Sequence, residues 1–494
     1  MATRQGFAGE ATAPEIDRPG LQWFNVPAPL PIDSLRGRVV ILDFWTEGCI
    51  NCIHIIPTLR RIEERFPEQV AVIGVHSPKF PNERDPASVA DAIQRYEIRH
   101  PIVHDPKLTI WQAYGVQAWP TLVVINTDGT ILGQIAGEPD PDQALKAIGD
   151  LVDRSAQAGS LRPRRLDLAV PVEPRGKFLF PGKLKPLPGP TKEWVLADGG
   201  HHQIVVLGDD GGERHRYGSG EAGLVDGTEA TARFNHPQGV AASAEAIFVA
   251  DTDNHAIRRI DRASGAITTL AGTGKRGKVL TEPADALGTA LASPWDLEVA
   301  GTTLYFANAG THQLGALDLG SGQVRRFVGS GEEALTPGDA ATAAMAQPSG
   351  LALSADRRTL YVADSESSAI RAVSLGDTTE IGNLVGAGLF DFGWVNGALK
   401  TARLQHPLGV AEVEGVLLVA DTYNNAIRAI DLGRGQVADF DGGAFTCTDP
   451  ICVPAREPAG IVADGPDRIL LVDTGNHRIE EYRPSTKTYR TWAR

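Results

Sequence analysis

The chain of 494 residues is poor in cysteine (4), methionine (2) and aromatic side chains (6%). Four cysteines in this length do not make a disulfide framework, so packed cores must hold the fold. No stretch approaches the 18 apolar residues of a membrane-spanning helix, and the first residues carry Glu10, Glu15 and Asp17 in place of the apolar run of a secretory signal. Positive charge is scarce too: 47 Lys and Arg face 61 Asp and Glu, a net −14 that repels a phosphate backbone. Neither nucleic acid nor membrane is therefore an expected partner, and the expected compartment is the cytoplasm.

What is present is an ordinary globular composition, 42% hydrophobic, in a chain long enough for two or three domains. Charge divides it: residues 1–160 hold 20 acidic and 14 basic side chains, and residues 161–192 hold 2 and 8. We read a first domain over 1–160 with its core at about 20–155, a basic Pro-rich linker over 161–176, and a second body over 177–494.

The first body alternates strand and helix patterns, which predicts an α/β sheet. Arg38 to Trp45 reads as a strand buried on both faces, and a helix should follow it and run on through Pro57 to Phe66. Further strands are expected at 69–75, 121–126 and 130–136, with helices at 86–96 and 142–154. At the predicted start of the first helix stands Cys49-Ile50-Asn51-Cys52. A thiolate there is stabilised by unpaired backbone N–H groups and the helix dipole, and Cys52, one turn on, is placed to attack a mixed disulfide on Cys49. A zinc site would need two more ligands, and Cys447 and Cys452 lie about 400 residues away; two inert buried thiols are the other alternative. Redox chemistry is the preferred reading. Nearby, His54 reads as a partly exposed helix residue and His76 as a strand end with a hydrogen bond.

The second body repeats. Asp198, Asp251, Asn308, Asp364, Asp421 and Asp473 each end an apolar strand, at spacings of 53, 57, 56, 57 and 52 residues. Four short strands in each of six units predict an all-β six-bladed propeller, with the strand-ending Asp residues satisfying turns and Arg258, Arg371 and Arg428 pairing with nearby acids or carbonyls. His236 and His406 precede their strands at a possible channel mouth, but Ser293 and Gln347 take that place in two other units, which disfavours a metal. Cys447 and Cys452, separated by four residues, allow a local disulfide that could act as a switch, but are expected to be free thiols, and Arg162, Arg164, Arg165, Lys183 and Lys185 to belong to a connector held against acidic neighbours, a polyanion patch being the alternative.

Asp43-Phe-Trp-Thr-Glu-Gly-Cys49-Ile-Asn-Cys52, with Trp119-Pro120-Thr121, resembles the active-site segments of the thioredoxin fold, most closely its TlpA-like thiol-disulfide branch, which also has segments like Val72 to Lys79. The resemblance implies Cys49 as nucleophile, Cys52 as resolving thiol, Asp43 as buried proton acceptor and Pro120 as the substrate-side cis-proline, with Trp45, Gly48, Ile50, Asn51, Trp119 and Thr121 tuning the surface. Gly48 and Ile50-Asn51 depart from the thioredoxin pattern, so potential and partner choice are not carried over. His236-Pro-Gln-Gly-Val-Ala241 and Val249 to Arg258 resemble NHL repeats. The loop from Gly218 to Pro237, echoed at Gly386 to Pro407, and the domain order resemble the NHL-repeat-containing protein 2 family. The chain is expected to be a short, bacterial-type member without the C-terminal β domain of longer ones.

The implied function is thiol-disulfide exchange at the dithiol, without cofactor or metal. The propeller would serve as a platform for a protein client or partner, and an external thiol would supply electrons. A redox-sensing scaffold without catalysis is the alternative, and a propeller metal-dependent lyase or lactonase the third.

Overall fold

The computed structural model describes residues 4–5, 11–171, 176–440, 445–449 and 453–494. The chain divides into two units, Met1–Pro174 and Arg175–Arg494. No helix among the described residues is long and apolar enough to cross a membrane.

In the first unit, β1 (Arg4–Gln5), β2 (Gln22–Phe24), β3 (Val39–Trp45), β4 (Val70–His76), β5 (Ile102–His104), β6 (Thr121–Ile125) and β7 (Ile131–Ala136) form one sheet in the order β1-β7-β6-β3-β4-β5-β2. β3 and β4 are parallel, central and buried at every position, as their unbroken apolar runs require. Helices α1 (Ile50–Arg65), α2 (Pro86–Arg95), α3 (Thr109–Ala113) and α4 (Pro141–Gln157) accompany the sheet. Val40, Leu42 and Phe44 face one core with α3, whereas Val39 and Ile41 face α1 and α4. The α/β thioredoxin-like sheet expected from the sequence is present. β1, β2, β5 and α3 were not foreseen: the strands are too short to show a period, and α3 forms because Asp105 accepts the N–H groups of Thr109, Ile110 and Trp111.

Residues 161–169 lie along this unit, where the N–H groups of Arg162, Arg164 and Ala169 bond the carbonyls of Gly37, Glu68 and Asn25.

The second unit is a six-bladed propeller of six sheets, antiparallel except where Thr446–Cys447 pairs parallel with the last strand of the sixth, each built from a contiguous stretch of chain. Their innermost strands are Pro181–Leu187, Gly239–Ala242, Pro294–Ala300, Pro348–Leu353, Gly409–Val413 and Gly460–Ala463, and each packs beside the next until the sixth meets the first. The strands ending in Asp198, Asp251, Asn308, Asp364, Asp421 and Asp473 each lead into one turn of 3-10 helix, which closes on His202, His255, His312, Ser368, Asn425 or His477 in the left-handed region, φ 49–56°. That side chain accepts, at 2.7–3.1 Å, the backbone N–H of a residue one or three positions before the next blade's innermost strand: His236, Ser293, Gln347, His406, Glu457 and, closing the ring, Phe180.

This latch explains residues that the sequence left ambiguous. His236 packs against His202 and pairs with Asp253, while His406 stacks on Tyr423 near Glu366, so each is taken up at its own blade junction. Asp251, Asp364 and Asp421 each accept a loop N–H and pair, fully buried, with Arg258, Arg371 and Arg428.

Two expectations are corrected. Lys183 and Lys185 belong to neither a connector nor a polyanion patch. They alternate inward from the first innermost strand, where Lys183 donates to the carbonyls of Leu408 and Ala459 and Lys185 pairs with Glu298 and donates to the carbonyl of Leu351. Burial lowers Lys183 to about 8, whereas Glu298 and Asp296 raise Lys185 against the same desolvation. Cys447, expected as a free thiol, is disulfide-bonded. Cys452 lies outside the described residues.

Candidate active site

Alternation along β3 decides what lies beneath α1. Asp43 and Trp45 share the parity of Val39 and Ile41 and point toward the helix, so the carboxyl is buried in an otherwise apolar layer. The chain leaves β3 at Trp45, turns through Thr46-Glu47-Gly48, and enters α1 at Cys49, whose extended backbone (φ −81°, ψ 111°) makes it the N-cap. Its Sγ accepts the N–H of Cys52 at 3.3 Å, the bond a capping Ser or Asp oxygen ordinarily makes. Cys49 and Cys52 are both free thiols, 7% and 1% exposed. Burial pushes the Cys52 thiol well up, and the Cys49 sulfur and Asp43 add to the effect. Burial likewise raises Asp43 to about 7, against a smaller pull from His100.

The turn before Cys49 is held from behind by one carboxylate. Glu83, fully buried, accepts from Thr46 Oγ1 at 2.5 Å, Gly48 N–H at 3.2 Å, Lys79 N–H at 2.6 Å and Phe80 N–H at 3.0 Å. Desolvation raises it to about 7, and the four donors oppose that rise. Tyr96 adds a bond from its hydroxyl to the Glu47 carbonyl, 2.9 Å. Across the sheet, Phe44 pairs with Thr121, so the register brings Pro120 beside the end of β3. The Trp119-Pro120 peptide is cis, and the Pro120 carbonyl accepts from Gly137 N–H at 2.8 Å. Trp119 donates to the Ser77 carbonyl at 2.8 Å and joins Trp45, Cys49 and Cys52 in one apolar cluster. Ile50 is buried in the first turn of α1, Asn51 half-buried beside it, and Thr121 is tied to the Ala118 carbonyl.

Residues 37–131 match the family model of thioredoxin-like proteins. Along nearly its whole length the chain is 36% identical to NHL repeat-containing protein 2 of Gallus gallus, over 522 residues covering 97% of this chain and 71% of that protein. It is 36% identical to the Homo sapiens protein of the same name, over 527 residues, 98% and 71%. The chain belongs to the NHL repeat-containing protein 2 family. Within the first unit of this family member, 104 residues are 32% identical to the thiol-disulfide oxidoreductase ResA of Halalkalibacterium halodurans, covering 21% of this chain and 56% of that protein. The thioredoxin-like domain is thus related to thiol-disulfide oxidoreductases.

The structure brings the two cysteines together with Trp45 and Trp119, and it adds partners that the sequence did not disclose. His54, expected as partly exposed, has its ring buried with Nδ1 3.1 Å from Glu138. His76 ends β4 with its Nδ1 3.1 Å from that of His104, and burial keeps it well below the usual histidine range. Glu83, Tyr96 and His100 were not singled out at all. Glu83 follows a Pro-flanked loop and His100 precedes a proline, neither of which announces an inward-facing polar group.

Proposed function

We propose that the chain is a thiol-disulfide oxidoreductase that uses the Cys49–Cys52 dithiol, with the propeller as a platform for a protein client or partner. The observation that carries this reading is the free thiol pair capping α1 above a buried carboxyl raised to about 7. Cys49, held by backbone N–H groups at the helix N-terminus, attacks a client disulfide, and Cys52 then displaces the client from Cys49. The raised Cys52 thiol needs a base to do so, and Asp43 near neutrality is a matched acceptor. Pro120 and Trp119 flank the client-side surface, while Gly48, Ile50 and Asn51 shape it. An external thiol re-reduces the pair.

The platform reading draws on Phe390 and Trp394, 72% and 53% exposed, in the loop that leads into the fifth blade. The scarcity of cysteine supports a reducing compartment, the cytoplasm, where the Cys447 disulfide is expected to open. Alkylation in lysates of fractionated cells tests both.

The function is tested by titrating the full chain against glutathione or dithiothreitol buffers, reading oxidation by alkylation and mass. A two-electron transition between about −120 and −270 mV, absent in Cys49→Ser and Cys52→Ser, is expected. A pair that stays reduced at every potential removes the reading.

A further inference from the structure

Gly74 is the register partner of Asp43 in the parallel β3–β4 ladder, so the Asp43 side chain and the missing side chain of Gly74 share one face of the sheet. A Cβ placed on Gly74 would stand 2.2 Å from Ile102 Cδ1, 3.0 Å from Trp45 Nε1 and 3.5 Å from His100 Nε2, so the glycine lets the Ile102 methyl and these two ring nitrogens close in on this face. Asp43 Oδ1, Trp45 Nε1 and His100 Nε2 are all buried without a hydrogen-bond partner in the protein. A buried polar group left without a partner is costly to folding. Three of them gather on the Gly74 face of an otherwise apolar layer, one belonging to the carboxyl that raises Cys52 and is itself acted on by the charge of His100.

This polar cluster has a way out. His100 is fixed through its carbonyl, which accepts from Asn25 Nδ2 at 3.0 Å, and through its ring, whose Nδ1 lies 3.3 Å from Glu63 Oε2. The His100 side chain is 3% exposed and that of Glu63 29%, so the pair leads from interior to solvent. A cleft of about 200 Å3 opens over the two, carrying Arg60 and Glu64 from α1 and Glu97 and Arg99 from the loop before β5. Glu63 lies three turns beyond Cys52 on α1, about 16 Å away. Asp43 and His100 occupy the interior beneath that span.

We propose that His100 relays the Cys52 proton from Asp43 to Glu63 at the surface. This rests on the dithiol reading above and adds to it a route that the buried carboxyl otherwise lacks. The Cys49 thiolate attacks one sulfur of a client disulfide, and the first client sulfur leaves with the electron pair and takes a proton from water. Cys52 gives its proton to Asp43, and its thiolate displaces the second client sulfur from Cys49, forming the Cys49–Cys52 bond. The client has gained two electrons and the dithiol has lost them. Protonated Asp43 then passes its proton through an intervening water to His100 Nε2, the two atoms making no direct bond, while His100 Nδ1–H passes its own proton to Glu63, which releases it to water. Re-reduction returns a proton along the same path in reverse and restores the starting tautomer. His100 touches neither thiol and is a positioning residue in this scheme.

The test uses the full chain, reduced and mixed with oxidised glutathione, quenched in acid at intervals and weighed. In the wild type a glutathionyl adduct on Cys49 forms and decays to the internal disulfide. His100→Ala is expected to slow that decay at least about tenfold. Imidazole in the buffer, small enough for the cleft, should restore it, and Glu63→Gln, which keeps the side-chain shape, should slow it as well. Slowing that imidazole restores or that Glu63→Gln reproduces supports the relay. Decay in His100→Ala at the wild-type rate overturns it, as does slowing that neither imidazole restores nor Glu63→Gln reproduces. If His100→Ala does not fold, the Glu63→Gln rate alone decides. A wild type that never forms the internal disulfide removes the dithiol reading and the relay with it, whereas wild-type turnover matched by both variants removes only the relay.

Discussion

Asp43 places a carboxyl where the sheet would otherwise be apolar, and its protonation carries a cost to folding with a definite sign. Burial raises it to about 7 in the folded chain, against an ordinary value of 3.8. Between those values the folded state holds a proton that the unfolded state has released, so the stability of the first unit falls as pH rises through this window and levels off above about 7. At about 1.4 kcal/mol per unit the full cost is at most about 4 kcal/mol. Asp43→Asn should therefore stabilise little at pH 4 and progressively more up to pH 8, read by thermal unfolding of the first unit. A gain equal at every pH would count against a titrating Asp43. Asp43, Cys49 and Cys52 were legible because their arrangement is local: a strand, a tight turn and a helix cap. Partners that meet only through tertiary folding were not. His54 finds Glu138 84 residues away, His100 finds Glu63 37 away, and the Glu83 bond to Gly48 spans 35.

At the scale of the element, the blade repeat shows how much of a recurring motif is structure. In three blades the strand-ending Asp and the Arg seven residues on are fully buried, and the Arg also donates to carbonyls of the loop that enters the blade, as Arg371 does to Ala344 and Thr336. The third blade departs from this pattern. Asn308 replaces the acid, and Gly315, cross-strand partner of Phe306, stands where those three blades carry arginine, with the Phe306 ring filling the space. Gln313 then supplies the loop contacts, donating to the carbonyls of Leu280 and Gly329. In the first and sixth blades Asp198 and Asp473 pair instead with Arg216 and Arg478, so the strand end carries either a paired acid or none, as expected where an unpaired buried ion is the costly state. Arg371→Met should lower propeller stability by about 3–5 kcal/mol, while adding Asp364→Asn should recover part of the loss. Denaturant unfolding of the two variants measures this, and additive losses would contradict it. The sequence announced these arginines by repetition, but not the latch residues, because His, Ser and Asn share only a left-handed backbone and an acceptor atom.

For the whole molecule, repetition predicted a ring but not its closure. Among the described residues no strand is exchanged between the first and sixth blades, and each bond across the seam has a side chain on at least one side. Trp194 and Trp492 meet edge to face with centroids 6.3 Å apart, and Arg468 lies over both rings at 5.8 and 5.6 Å. The same Arg468, almost fully buried, pairs with Asp209 across the seam and with Asp464 and Glu481 within the sixth blade. Trp492 Nε1 donates to the Asp209 carbonyl at 3.1 Å, and Thr474 Oγ1 to the Pro181 carbonyl at 2.8 Å. Every other junction joins blades that the chain already tethers, whereas here the two partners come from opposite ends of the propeller, so opening costs no covalent restraint and releases the most chain entropy. Local unfolding should begin at this seam. Amide hydrogen exchange is expected to be fastest, among innermost strands, in Pro181–Leu187 and Gly460–Ala463, and Arg468→Ala should speed exchange in the first and sixth blades while leaving the third and fourth as they were. Exchange that quickens equally in all six blades would mean that the ring opens as one cooperative body and that the seam has no special weakness.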